Sequence, residues 1–142
     1  MSERHYRYGQ FSNEHLKRSK KGLELFNDQF YWECHEVFED LWKEDVADHA
    51  RYVWWAVIQV AAAMIHYRDG KESGARGLIK KAKEKFAKCE ELGVETKIMY
   101  RYLDWEELKS LVRKVPAEPK LSDFKALFHF RFKCVEEISP CP

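Results

Sequence analysis

Residues 53–65 form a run that is apolar on nearly every side of a helix, and this run constrains the fold more than any other part of the chain. A helix without a polar face is covered by neighbours on most sides, so the run predicts the central helix of an all-α domain. It is shorter than the ~20 apolar residues that cross a bilayer, and Gln59 interrupts it. A membrane span is therefore not expected.

The few polar residues of this third helix, predicted over about residues 48–68, lie on one stripe. When each residue advances by about 100°, Arg51, Gln59 and His66 share a seam with Trp55 and Ala62. A buried polar group costs free energy unless it has a partner, and the nearest polar side chains belong to the preceding helix. We therefore expect a polar cluster between the second and third helices.

The second helix, predicted over about residues 30–44, contains the segment Cys-His-Glu-Val-Phe-Glu-Asp-Leu-Trp at positions 34–42. His35 and Glu39 lie one turn apart on the same face, and Trp42 continues that stripe. Glu36 lies further round the helix, so Glu39 is the expected partner of His35. The predicted cluster has six members: His35, Glu39, Trp42, Arg51, Gln59 and His66.

Two interpretations of this cluster remain open. In the first, its members form a satisfied hydrogen-bond network that fixes two helices or binds a small ligand. In the second, His35, Glu39 and His66 bind a divalent metal and Glu36 acts as the general base of a metal-dependent hydrolase. The hydrolase needs an opening to water, whereas Trp42, Trp55 and Ala62 predict a closed seam. We prefer the first interpretation, and the sequence identifies no cofactor.

A family resemblance rests on the segment at positions 30–42, together with Gly22, Leu25-Phe26-Asn27, Arg51, Ile58-Gln59, Ala62, His66 and Gly74-Ala75. These residues resemble the helical domain-of-unknown-function family 309 over about residues 21–92. The resemblance implies an all-α fold and a signature centred on His35, Glu36, Glu39 and Trp42. The family has no established reaction, and its label of metal-dependent hydrolase makes that activity an expectation.

The rest of the sequence predicts further helices. We therefore expect a single domain of five to six helices, with a family-like core at residues 21–92 and a C-terminal extension at residues 93–142. A first helix spans about residues 13–26, and a fourth spans about 73–92 and stops at Gly93. Asp104 and Glu107 form a variant capping box that opens a fifth helix, and Pro116 and Pro119 break the chain after it.

The aromatic tail after residue 120 fits either a strand or a helix, and we favour a helix. So much apolar surface in a terminal segment predicts docking on the core or contact with a second copy. A homodimeric interaction module is thus a third interpretation.

Charge and cysteine content exclude other classes. Lys and Arg number 25 against 24 Asp and Glu, so the net charge of +1 gives no attraction to nucleic acid. A polar N-terminal segment favours a cytoplasmic protein, in which Cys34, Cys89, Cys134 and Cys141 are expected to be free thiols. We reject Cys34 as a nucleophile, because neighbours on a helix point about 100° apart. The histidines at positions 5, 15, 49 and 129 are expected at the surface.

Overall fold

The computed structural model describes residues 9–44 and 46–139, and the described chain contains helices and no strand. Its α-helices are α1 (Asn13–Asn27), α2 (Tyr31–Glu44), α3 (Arg51–Arg68), α4 (Glu72–Leu92), α5 (Trp105–Lys114) and α6 (Lys125–His129). A π-helical turn spans Met99–Leu103, and 3-10 turns span Leu121–Phe124 and Val135–Glu137. The prediction of an all-α domain of five to six helices is confirmed. No helix of the described residues has the length and apolar character to cross a bilayer.

Helix α3 is the centre of the fold, as its composition predicts. It packs against α2, α4 and the 3-10 turn at Leu121–Phe124, while α1 packs on α2. Ten of its residues are buried: Val53, Trp54, Ala56, Val57, Ile58, Gln59, Val60, Ala61, Ala63 and Met64. The helix begins at Arg51, three residues later than the predicted start at Asp48.

Helices α2 and α3 run antiparallel. Tyr31, at the start of α2, lies under the guanidinium of Arg68 at the end of α3, at 5.7 Å. At the other end, the Trp42 ring packs on Tyr52 and Trp55 with centroid distances of 5.1 and 4.5 Å. These contacts bring the start of each helix next to the end of the other.

The aromatic tail is helical in part and docks on the core. Its buried side chains are Phe124, Leu127, Phe130, Phe132, Val135 and Ile138. Asn27 holds the tail by two hydrogen bonds to the Phe132 backbone, at 2.7 and 2.8 Å. Docking on the core is therefore how this segment covers its apolar surface.

Two helix ends test the predicted caps. Gly93 ends α4 in the left-handed conformation, with φ 67°, as expected of a C-terminal stop. The predicted capping box at Asp104 is wrong, because Asp104 has φ 50° and its side chain makes no cap hydrogen bond. Its carboxylate lies 3.4 Å from Lys133 instead.

Gly22 on α1 permits the close approach of α2. A Cβ atom at Gly22 would lie 2.5 Å from Cε2 of Phe38, and Phe38 is 1% exposed. Because the ring is enclosed by the core, it has little room to move away. A Cβ atom at Gly77, on the exposed side of α4, would instead point into open space.

These two glycines give a matched test of the helix packing. We expect Gly22→Ala to lower the free energy of unfolding by about 2 kcal/mol, because the added methyl overpacks the core. Gly77→Ala should raise it by about 0.5–1 kcal/mol, since alanine is the better helix former. Urea denaturation followed by circular dichroism measures both. Equal effects of the two substitutions would contradict the packing of Phe38 on Gly22.

Candidate functional site

We define the polar seam as the six predicted cluster residues: His35, Glu39 and Trp42 of α2, and Arg51, Gln59 and His66 of α3. Trp42 and His66 are only half-buried, and so are Trp55 and Ala62 beside them. The expectation that Trp42, Trp55 and Ala62 close the seam is therefore wrong, because each keeps part of its surface in solvent.

Trp42 and Arg51 form the one direct pair within the seam that the described hydrogen bonds and ring contacts contain. The Arg51 guanidinium lies 3.7 Å from the Trp42 ring centroid, and its Nη1 donates to the Trp42 carbonyl at 3.1 Å. A cation over an indole face is electrostatically favourable. This pair joins the end of α2 to the start of α3, so these two predicted members do meet.

His35 and His66 each hold a ring nitrogen that is buried without a partner. The His35 ring stacks on Trp32 at 5.6 Å, with an angle of 2° between the planes, and its Nδ1 makes no hydrogen bond to described residues. The His66 ring lies against Gly74, where a Cβ atom would overlap it, and its Nδ1 is likewise unpartnered. Gly74 is thus needed for the position of His66. The Nε2 atoms of the two rings are not among the buried atoms without a partner.

Gln59 is the third unpartnered member. It is 7% exposed, and its Oε1 is buried with no hydrogen-bond partner among the described residues. A buried amide oxygen without a partner costs free energy. The prediction of a satisfied network is therefore wrong for His35, Gln59 and His66, because each buries a polar atom that has no partner among the described residues.

The two glutamates of the signature make no hydrogen bond or ion pair with His35 or His66 in the described chain. Glu39 pairs with Lys43 one turn away at 3.4 Å, and its side chain is 38% exposed. No hydrogen bond joins Glu39 to His35 in the described structure, and Glu36 is exposed. Within residues 9–44 and 46–139, no three His, Cys, Asp or Glu side chains are grouped closely enough to hold a metal ion.

A histidine and an aspartate form a buried pair that the sequence analysis did not predict. This pair joins α1 to the residues just before α3. His15 Nε2 and Asp48 Oδ2 are 2.5 Å apart, and the two residues are 6% and 3% exposed. Asp48 Oδ1 accepts from the Ala50 backbone N–H at 2.9 Å, just before α3. His15 Nδ1 accepts from the Ser12 N–H at 2.9 Å in the capping box of α1. The expectation of a surface His15 is wrong, and the Ser12-to-His15 spacing was the available signal.

A second buried ion pair joins α4 and α5. Lys109 Nζ is 2.7 Å from Glu95 and 3.0 Å from Glu90, and Lys109 is 4% exposed. Burial lowers the pKa of Lys109, but the hydrogen bonds and charges of the two glutamates outweigh it and raise the pKa. Hydrogen bonds from Arg113 and Lys109 lower the pKa of Glu90 to about 2. Each charge here has a partner, in contrast to the polar seam.

Cys34 and Cys89 are buried and carry no reactive thiol. Cys34, Cys89 and Cys134 are free thiols, as predicted, and Cys141 lies outside the described residues. Burial raises the pKa of Cys34 far above its usual range and that of Cys89 to about 12. Since the thiolate is the nucleophile, these buried thiols are inert near neutral pH.

Comparison with known proteins matches the part of the chain that holds the seam. Residues 19–78 match the family model described as Domain of unknown function (DUF309). The chain is also similar to the uncharacterized protein YpuF of Bacillus subtilis (strain 168), with 41% identity over 49 residues. That match covers 34% of this chain and 28% of YpuF. No solved structure matches the chain. The DUF309 match over residues 19–78 includes every residue of the polar seam.

Proposed function

We propose that the polar seam is a binding site for a small polar ligand. The observation that carries this proposal is that three seam side chains, His35, Gln59 and His66, each bury a polar atom without a partner. Such atoms reduce stability, by about 1–3 kcal/mol each where nothing else satisfies them. Side chains kept at that cost are typical of functional sites, where stability is traded for activity.

The seam offers several hydrogen-bonding groups at one surface. The His35 and His66 rings are half-buried, and their Nε2 atoms are not among the buried unpartnered atoms. An imidazole nitrogen donates or accepts according to its tautomer, and an amide does both. The carboxylate of Glu39 and the Arg51 guanidinium on Trp42 add one charge of each sign. A small molecule with both donors and acceptors fits this set.

The metal-dependent hydrolase has weaker support. It requires His35, Glu39 and His66 to converge on one ion, with Glu36 as base. Glu39 instead pairs with Lys43, and Glu36 is exposed on the outer side of α2. Two histidines on the seam still justify a test with metal ions.

The hypothesis of a homodimeric interaction module also has weaker support. It was based on the apolar side chains of the tail, and these dock on this chain's own core. A cytoplasmic location and the lack of a nucleic-acid partner stay predictions.

Replacing Gln59 tests whether the buried amide of the seam stabilises the fold. We expect Gln59→Met to raise the free energy of unfolding by about 1 kcal/mol, because a side chain of similar size removes a buried atom that has no partner. The matched control is Lys109→Met, which removes a cation that has two carboxylate partners. The two carboxylates then stay partly buried without the Lys109 charge. That substitution should cost about 3 kcal/mol. Urea denaturation measures both variants.

A loss of stability in Gln59→Met would mean that water or a neighbour satisfies the amide in solution, and it would contradict the proposal. The binding itself is tested by thermal melts with a panel of carboxylic acids, amines, sugars and nucleosides. At least one class should raise the melting temperature of the wild type and leave that of Gln59→Met unchanged. A panel that shifts neither protein would also count against the proposal.

Metal binding is tested separately with protein purified without a metal-affinity step. We expect the melting temperature to be the same with chelator and with added zinc, manganese or iron, because the seam groups no three ligands. Glu39→Gln should then change stability by less than about 1 kcal/mol, as expected for a surface carboxylate. A melting temperature that rises with one metal in the wild type but not in Glu39→Gln would establish the metal site instead.

A further inference from the structure

A second candidate site lies at the C-terminal end of α3 and shares no residue with the polar seam. It is a cavity of about 420 Å³ that is largely open to solvent and is lined by Tyr67, Arg68, Leu121, Ser122 and Phe128. Three of these residues belong to the chain after the family segment at 19–78, so the docked tail completes the cavity. The volume is within the range of pockets that hold small molecules.

The walls of this cavity are aromatic. The Tyr67 and Phe128 rings lie 5.0 Å apart with an angle of 49°, and Phe128 also contacts Tyr31 at 5.9 Å. Phe128 and Tyr67 are half-buried, so their ring faces remain accessible at the cavity. Such walls suit an aromatic or other planar apolar group.

Arg68 supplies an uncompensated positive charge beside these walls. Its Nη1 donates to the Gln29 carbonyl at 3.3 Å, and its guanidinium lies 5.7 Å from the Tyr31 ring centroid. No Asp or Glu of the described chain forms an ion pair with it. The carbonyl uses one of its five N–H donors, and the others are available to an anion.

A second cation, Arg131, strengthens the positive character of the cavity. Arg131 donates to the Phe128 and Phe130 carbonyls, which hold it next to the cavity wall. Burial raises the pKa of Tyr31, and the charges of Arg131 and Arg68 act against that rise. The phenol between the two cations is therefore neutral at neutral pH and does not cancel their charge. The Ser122 hydroxyl, at the rim, adds a donor for the same anion.

We infer that this cavity binds a small aromatic carboxylate, with its ring packed against the Tyr67 and Phe128 rings and its carboxylate on Arg68 and Ser122. One guanidinium and one hydroxyl match a single carboxylate, and the aromatic walls match a ring rather than a sugar. This inference does not depend on a ligand at the polar seam.

The probe is 1-naphthylacetate, and its uncharged amide, 1-naphthylacetamide, is the matched control. Isothermal titration calorimetry should show millimolar or tighter binding of the acid and about tenfold weaker binding of the amide, since a charge-assisted hydrogen bond is lost. Arg68→Gln should remove this preference for the acid. Arg76→Gln, which changes an exposed arginine paired with Glu118, should leave it intact.

Amide chemical shifts measured by NMR locate the probe. The inference predicts that the acid perturbs Tyr67, Ser122 and Phe128 in the wild type, and that Arg68→Gln keeps its fold but loses these changes. Three results would overturn it: no binding of the acid at millimolar concentration, equal binding of acid and amide, or shift changes confined to the exposed Trp32 region of α2.

Discussion

The need to cover α3 governs the rest of the structure. Because this helix is apolar on nearly all sides, its neighbours must enclose it, and α2, α4 and the Leu121–Phe124 turn do so. Enclosure is incomplete along one strip, where Trp55 and Ala62 remain half-buried. Both residues share a face of α3 with Arg51, Gln59 and His66, so the candidate site lies beside an incompletely enclosed part of the core.

The buried pair of His15 and Asp48 fixes where α3 begins. Asp48 accepts from the Ala50 N–H and contacts His15 on α1, which ties the entry of the central helix to the first helix. A further bond, from Trp54 Nε1 to the Ser19 hydroxyl at 2.8 Å, joins the same two helices. In both contacts the buried polar atoms are paired with each other. The structure thus contains two kinds of buried polar group. Those of His15, Ser19, Asp48 and Trp54 join helices, whereas those of His35, Gln59 and His66 have no partner among the described residues.

Much of the fold could be predicted because helix periodicity and end signals act locally. The apolar run of α3 and the stop at Gly93 depend on neighbouring residues alone, and both predictions are confirmed. The site was harder, because pairing across helices depends on distances that a sequence does not contain. His15 and Asp48 are 33 positions apart, and only the packing of α1 on the fold brings them together. Tryptophan content could not predict the open seam, because a large side chain can pack on one face and leave the other in solvent.

The central claim is that the imidazoles of His35 and His66 are accessible to a ligand, whereas the imidazole of His15, which pairs with Asp48, is not. Carbethoxylation with diethyl pyrocarbonate, followed residue by residue with mass spectrometry, measures the access of a small electrophile to each ring. His35 and His66 should react at rates near those of the exposed His49 and His129, and His15 should stay protected until the protein unfolds. Protection of His35 and His66 equal to that of His15 would contradict the account.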